Sequence, residues 1–134
     1  MMEMKELHTT NGISRKERAV SFLQQVASGD VREAFKIHAS PDFYHHNPYF
    51  RGDAASLMEA MEENAAENPD KIFEVKHAIE EGDIVSVHSH VKQHQGDLGA
   101  VVVHIFRFQE DRIVEAWDVG QLIPVDSPNE NGVF

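Results

Sequence analysis

VVVHIFRFQEDRIVEAWDVGQ, residues 101–121, decides the fold of this chain. Two runs dense in Val, Ile, Phe and Trp, 101–108 and 112–119, flank the polar loop Gln109-Glu110-Asp111. Such residues suit a pleated, half-buried surface, so the stretch is predicted to be a β-hairpin. A three-residue loop needs a residue that tolerates positive φ near its end, and Asp111 is the expected one. That loop sets His104 opposite Ala116, with Asp118 diagonal to His104 on the same face, roughly 7–8 Å away. Phe106 and Val114 share the face, giving the two polar groups an apolar wall. A two-residue loop would flip the pairing and put Asp118 on the other face, so any site here depends on register.

Outward from the hairpin the period of the apolar pattern changes. Upstream of residue 71 it is helical. Ser14 and Glu17 form a capping box before a stripe of Val20, Leu23 and Ala27 flanked by Ala19, Phe22 and Val26, and Gly29 ends that helix. Asp30 and Glu33 repeat the capping pattern for a short second helix to about His38, stopped by Pro41. A third helix starts after Gly52-Asp53 and runs to Glu67, with Leu57, Met58, Met61 and Ala65 facing inward. From Lys71 the period becomes two, and strands are expected near 71–80, 83–94, 98–108 and 112–122. Helices first and an antiparallel meander second predict an α+β domain. Residues 1–12 are expected to fray and 125–134 to form an extended tail.

Composition narrows the function classes. At 134 residues the chain is predicted to be one domain, 1–134, with one core. Twelve Lys and Arg against 23 Asp and Glu give a net charge of −11, which offers no electrostatic footprint for nucleic acid or an anionic membrane. No apolar run is long enough to span a bilayer, and the N-terminus lacks a secretory pattern, so a cytoplasmic location is expected. The absence of cysteine excludes disulfides, thiolate metal sites and a Cys nucleophile. Histidine, by contrast, occurs nine times. It is the side chain that titrates near neutral pH and serves as general acid or base.

Four segments together, EEGDIVSVHSH (80–90), HIFRF (104–108), IVEAWDVGQ (113–121) and the closing NENGVF, resemble the SnoaL-like polyketide cyclase family of the NTF2-like superfamily. PDFYHHNP (41–48) is similar to that family's His-Asn-Pro segment after the second helix. The likeness runs from about Ser14 to the C-terminus. It implies a cone-shaped α+β barrel, with N-terminal helices packed on a curved, mostly antiparallel sheet of four to six strands, and a homodimer. It also implies an enzyme of the cyclase, isomerase or lyase type, aldol chemistry included, acting on a small apolar carbonyl compound without cofactor or metal. Two departures stand out. The family's acidic residue before Ile-Phe-Arg is His104 here, and its histidine after Val-Glu is Ala116.

His104 is therefore the candidate base, oriented by Asp118, because a carboxylate fixes the imidazole tautomer and stabilises its cation. His46 and Asn47 match the His-Asn-Pro segment and are the expected substrate donors, with Phe106 as apolar lining. Other readings stay open at each position. His104 could be a satisfied core histidine, and Asn47-Pro48 a turn signal and nothing more. His88 and His90 could join His104 in a three-histidine metal site. A three-residue loop at 80–82, however, sends both outward while Phe73, Val75, His77, Ile79, Val85, Val87 and Val91 line the apolar face, so no metal is expected. Arg107 and Glu115 are read as a cross-strand surface pair, and Trp117 as packing on the face of Ile105. The lost Asp and His favour an alternative: a non-catalytic ligand-binding or dimerisation module on the same fold.

Overall fold

The computed structural model describes residues 9, 10 and 12–134. Most of the segment expected to fray therefore lies outside the described residues. What is described of it, β1 (Thr9–Thr10), pairs antiparallel with β2 (Ile13–Ser14). Three helices follow: α1 (Arg15–Ala27), α2 (Val31–His38) and α3 (Ala54–Glu67). The strands of the main sheet are β3 (Ala39–His45), β4 (Ile72–Glu81), β5 (Ile84–Lys92), β6 (Ala100–Gln109) and β7 (Arg112–Leu122). They lie in the order β3-β7-β6-β5-β4, antiparallel except for β3 against β7. The sheet is curved and open rather than closed into a barrel, and the architecture is α+β of the NTF2-like kind. No described helix is long and apolar enough to cross a membrane.

The helix starts follow their local chemistry. Ser14 accepts from the Glu17 amide while the Glu17 carboxylate accepts from the Ser14 amide, so the predicted capping box forms. Asp53 caps α3 through the Ser56 amide at 2.8 Å. Asp30 differs from expectation. It precedes α2, yet its side chain makes no cap bond; its carboxylate instead accepts from Gln25 Nε2 at 3.1 Å. The β3 strand was not anticipated. Its Pro41 is tolerated because β3 is an edge strand.

The core lies between the helices and the concave face of the sheet. Phe22 of α1 meets Phe35 of α2 and Phe106 of β6 edge-on, at centroid distances of 5.1 and 5.8 Å. Val85, Val87, Phe108 and Ile113 are buried beneath them, and Leu57, Met58 and Met61 of α3 pack against this cluster. Arg15 ties the helical layer to the sheet's far end. Its guanidinium donates to the carbonyls of Glu110 and Gly82, the tips of both hairpins.

Two bulges set which side chains face the core. In β4 the register shifts between Val75 and His77, so Phe73, Val75 and Ala78 face inward while His77 and Ile79 face outward. The expectation that His77 and Ile79 line the apolar face is corrected by that extra residue; Ile79 is 61% exposed. His88 and His90 do face away from the core, where His88 Nδ1 lies 3.2 Å from His77 Nε2 and His90 donates to the Leu98 carbonyl. The tail returns to this outer face, setting the Phe134 ring 4.7 Å from His90 and 5.6 Å from His88.

Candidate active site

The second bulge builds the site. β6 and β7 join through the two-residue loop Glu110-Asp111, with Gln109 paired to Arg112 and the positive φ (59°) at Glu110, not Asp111. In regular register such a loop would send Asp118 to the outer face. Between Arg107 and Phe108, however, the register shifts: Phe108 pairs with Ile113 and Arg107 with Glu115, leaving Val114 as the extra residue. The parity is restored, and His104 pairs directly with Asp118 and Phe106 with Ala116. The predicted diagonal is thus corrected to a direct cross-strand pair, with Cβ atoms typically about 4.5–5.5 Å apart. Val114 is displaced from the face it was expected to share with Phe106.

Helices and sheet enclose a cavity of about 210 Å³. Its wall is mainly apolar, with Phe22, Leu57, Met61, Phe73 and Phe106 among its lining, and four polar residues reach it: His45, Lys71, His104 and Asp118. His104 is partly buried, with its ring stacked on Phe106 at 5.9 Å and tilted against Phe73 at 6.0 Å. Its Nδ1 is buried and has no hydrogen-bond partner. Burial pushes the imidazole down to about 4, against the Asp118 carboxylate, which raises it. The ring is therefore neutral at neutral pH and keeps a lone pair for a proton.

Asp118 is held by a group other than His104. Asn47 Nδ2 donates to its two carboxylate oxygens at 3.0 and 3.2 Å. Asn47 Oδ1 accepts from the Tyr49 amide, which fixes the side-chain amide's orientation. Asn47 thus contributes as the positioner of Asp118 and is not itself part of the cavity wall.

His46 occupies the opposite face. In β3 the residues Phe43 and His45 are buried, so Tyr44 and His46 alternate outward. There His46 stacks on Trp117 at 5.1 Å and donates from Nε2 to Glu115 at 2.7 Å. Glu115 also accepts from Arg107 Nε at 2.8 Å, the cross-strand pair read from the sequence. The expectation that His46 donates to a substrate in the cavity is corrected by strand alternation; His45 is the histidine of this segment that lines it. His45 pairs with the inward Ala116 on β7. Both its ring nitrogens are used: Nε2 donates to the Arg51 carbonyl at 2.6 Å, and Nδ1 accepts from the Asn47 amide at 3.1 Å. It is a fixed strut with no free nitrogen.

Sequence reasoning missed His45 and Lys71. The signal for Lys71 was present, since alternation places it on the same side as Phe73 and Val75 just ahead of the β4 pattern. Among the described residues no group of three or more His, Asp or Glu could hold a metal ion. The sheet itself separates His88 and His90 from His104. What the cavity can do chemically is accept a proton at His104, beside a fixed carboxylate, within a mainly apolar wall.

No curated protein matches the chain. Among solved structures it is similar to the loop truncation variant of IdmH, with a TM-score of 0.68 at 22% identity over 81% of this chain and 93% of that one. It is similar to an NTF2-like protein of unknown function from Cytophaga hutchinsonii, with a TM-score of 0.67 at 14% identity over 84% and 95% of the two chains. AclR from Streptomyces galilaeus, provisionally assigned as a hydroxylase, aligns with a TM-score of 0.61 at 27% identity over 81% of each chain. The SnoaL-like polyketide cyclase family matches residues 17–126, and with that span, fold and cavity the chain belongs to this family.

Proposed function

We propose that this protein is an enzyme of the cyclase, isomerase or lyase type, which takes a proton from the carbon next to a carbonyl in a small apolar substrate. The observation that carries this reading is His104: a neutral imidazole with an unpartnered nitrogen, beside Asp118, in an apolar cavity. His104 is the general base. Asp118, directly opposite on β7, stabilises the imidazolium that forms, and Asn47 keeps the carboxylate in place. The apolar wall, Phe106 included, strengthens both interactions by excluding water. The reaction needs no metal or organic cofactor. The protein acts as a homodimer in the cytoplasm.

The test is turnover of a panel of small enolisable ketones and aldehydes, followed by mass and chirality of the products. Removing a general base costs about 10²–10⁴-fold in rate. His104→Ala is expected to lose activity by that factor, while Phe106→Leu, which keeps the wall apolar, keeps most of it. Unchanged turnover in His104→Ala would remove this residue from the mechanism.

A second reading, a binding module without catalysis, is favoured by the weak basicity of His104 and by the Asp118 carboxylate bonding to Asn47. Native mass spectrometry separates the two. A co-purified small molecule returned chemically unchanged after incubation supports binding alone.

A further inference from the structure

The cavity holds a cation that proton transfer at His104 does not use. Lys71 lies in the connection between α3 and β4 and lines the cavity two residues before Phe73. Its Nζ donates to Asn64 Oδ1 on α3. An ammonium has three N–H donors, so two are left without an acceptor among the described residues. In a chain with 23 acidic residues, no carboxylate pairs with Lys71 among the described residues. A partly buried ammonium without a counter-ion is costly, and burial holds Lys71 below the usual lysine range. The cost is offset when an anion sits against it.

Geometry then orients whatever binds. Lys71 stands at the β4 edge and Asp118 on β7, with β5 and β6 between them. The register also sets Lys71 about six residues along the strands from the row shared by His104 and Asp118, so the two groups mark different ends of the cavity, and the curvature of the sheet shortens the path between them. Asp118 repels an anionic oxygen at its own end, and the net charge of −11 disfavours anions over the molecule as a whole. Only the Lys71 end attracts one.

We propose that the substrate is an amphiphilic organic anion: an apolar body whose carboxylate or ring oxyanion is bound by Lys71 Nζ, with its carbonyl carried to His104. The position of the carbonyl rests on the proton-transfer reading above; the anion site does not.

A charged and neutral pair tests it by equilibrium binding, without turnover: 2-naphthoate and its methyl ester, titrated calorimetrically at pH 7. Charge-assisted hydrogen bonds are worth enough for about tenfold or more in affinity. The native protein is expected to bind naphthoate at least about tenfold more tightly than the ester. Lys71→Met is expected to abolish that preference while still binding the ester, which shows its cavity intact, and Lys71→Arg to restore part of it. Equal affinity of native protein and Lys71→Met for naphthoate, with the ester bound by both, would overturn the anion site and leave the His104 reading standing. Binding of neither compound to the native protein would also overturn the anion site, while the His104 reading stands or falls on the turnover of His104→Ala.

Discussion

His104 shows how a single residue's environment decides its chemistry. Burial favours the neutral ring, and the neighbouring carboxylate opposes this but does not win, which leaves the imidazole at about 4. A base must be unprotonated to act, so the rate is expected to rise with pH through a midpoint near 4 and stay flat from about 5 to 8. A solvated histidine would give a midpoint near ~6.5 instead. Asp118→Asn removes the negative charge that raises the imidazole, so its midpoint is expected to fall further. Measuring kcat/KM by brief exposure to acid, with activity read after return to neutral pH as control, separates titration from unfolding. A midpoint at neutral pH would refute the enclosed base. The partnership of His104 and Asp118 was legible in the sequence, because cross-strand spacing brings them together under either of two registers. The true register was not, nor was the role of Asn47, whose contact with Asp118 spans 71 positions in sequence.

At the scale of elements, helix caps and strand spans could be read because they rest on neighbouring residues. Bulges could not be foreseen as readily, since one inserted residue inverts an alternation of period two. Their traces are local all the same. Ile113 and Val114 are consecutive and both buried, while Lys76 and His77 are consecutive and both exposed. The α1–α2 junction carries its own test. Arg18 Nη1 donates to His38 Nδ1 at 3.0 Å, and His38 Nε2 donates to Gln25 at 2.8 Å, locking a buried, neutral ring. Burial first, then the Arg18 and Arg112 charges, push His38 down to about 4. The unfolded chain takes up this proton near pH ~6.5, so between those values it binds more protons than the fold. Stability therefore falls as pH drops from about 6.5 to about 4, by up to roughly 3 kcal/mol from this group, and its contribution stops changing below that. Urea unfolding at pH 7 and pH 4.5 checks it. His38→Gln, whatever its stability at pH 7, is expected to lose less on acidification than the native chain. Equal losses would show that His38 does not couple folding to pH.

At the scale of the whole molecule, the concave face of the sheet is used by the core and the cavity, and the outer face is left to be accounted for. The C-terminal tail covers part of it, with Phe134 over His88, His90 and the Lys76 ammonium. Among the described residues, the half formed by β6 and β7 has no such cover. Val103, paired with Val119, and Ile105, paired with Trp117, stand there; Val119 is 67% exposed, and Tyr44 of β3 adds to the patch. A contiguous apolar face of this kind marks a contact surface, and a two-fold dimer buries the same patch on both subunits. Charge opposes that association, since each copy carries −11, and salt screens the repulsion. Sedimentation equilibrium at micromolar concentration and about 0.15 M salt is therefore expected to give twice 15.2 kDa, with weaker association at low salt. Val103→Asp, placed at the middle of the patch on the face away from His104, is expected to yield a monomer. Its cavity should remain able to bind ligand, because the sheet lies between the two surfaces. A native chain that sediments as a monomer under those conditions would overturn the dimer, and so would an unchanged dimer in Val103→Asp.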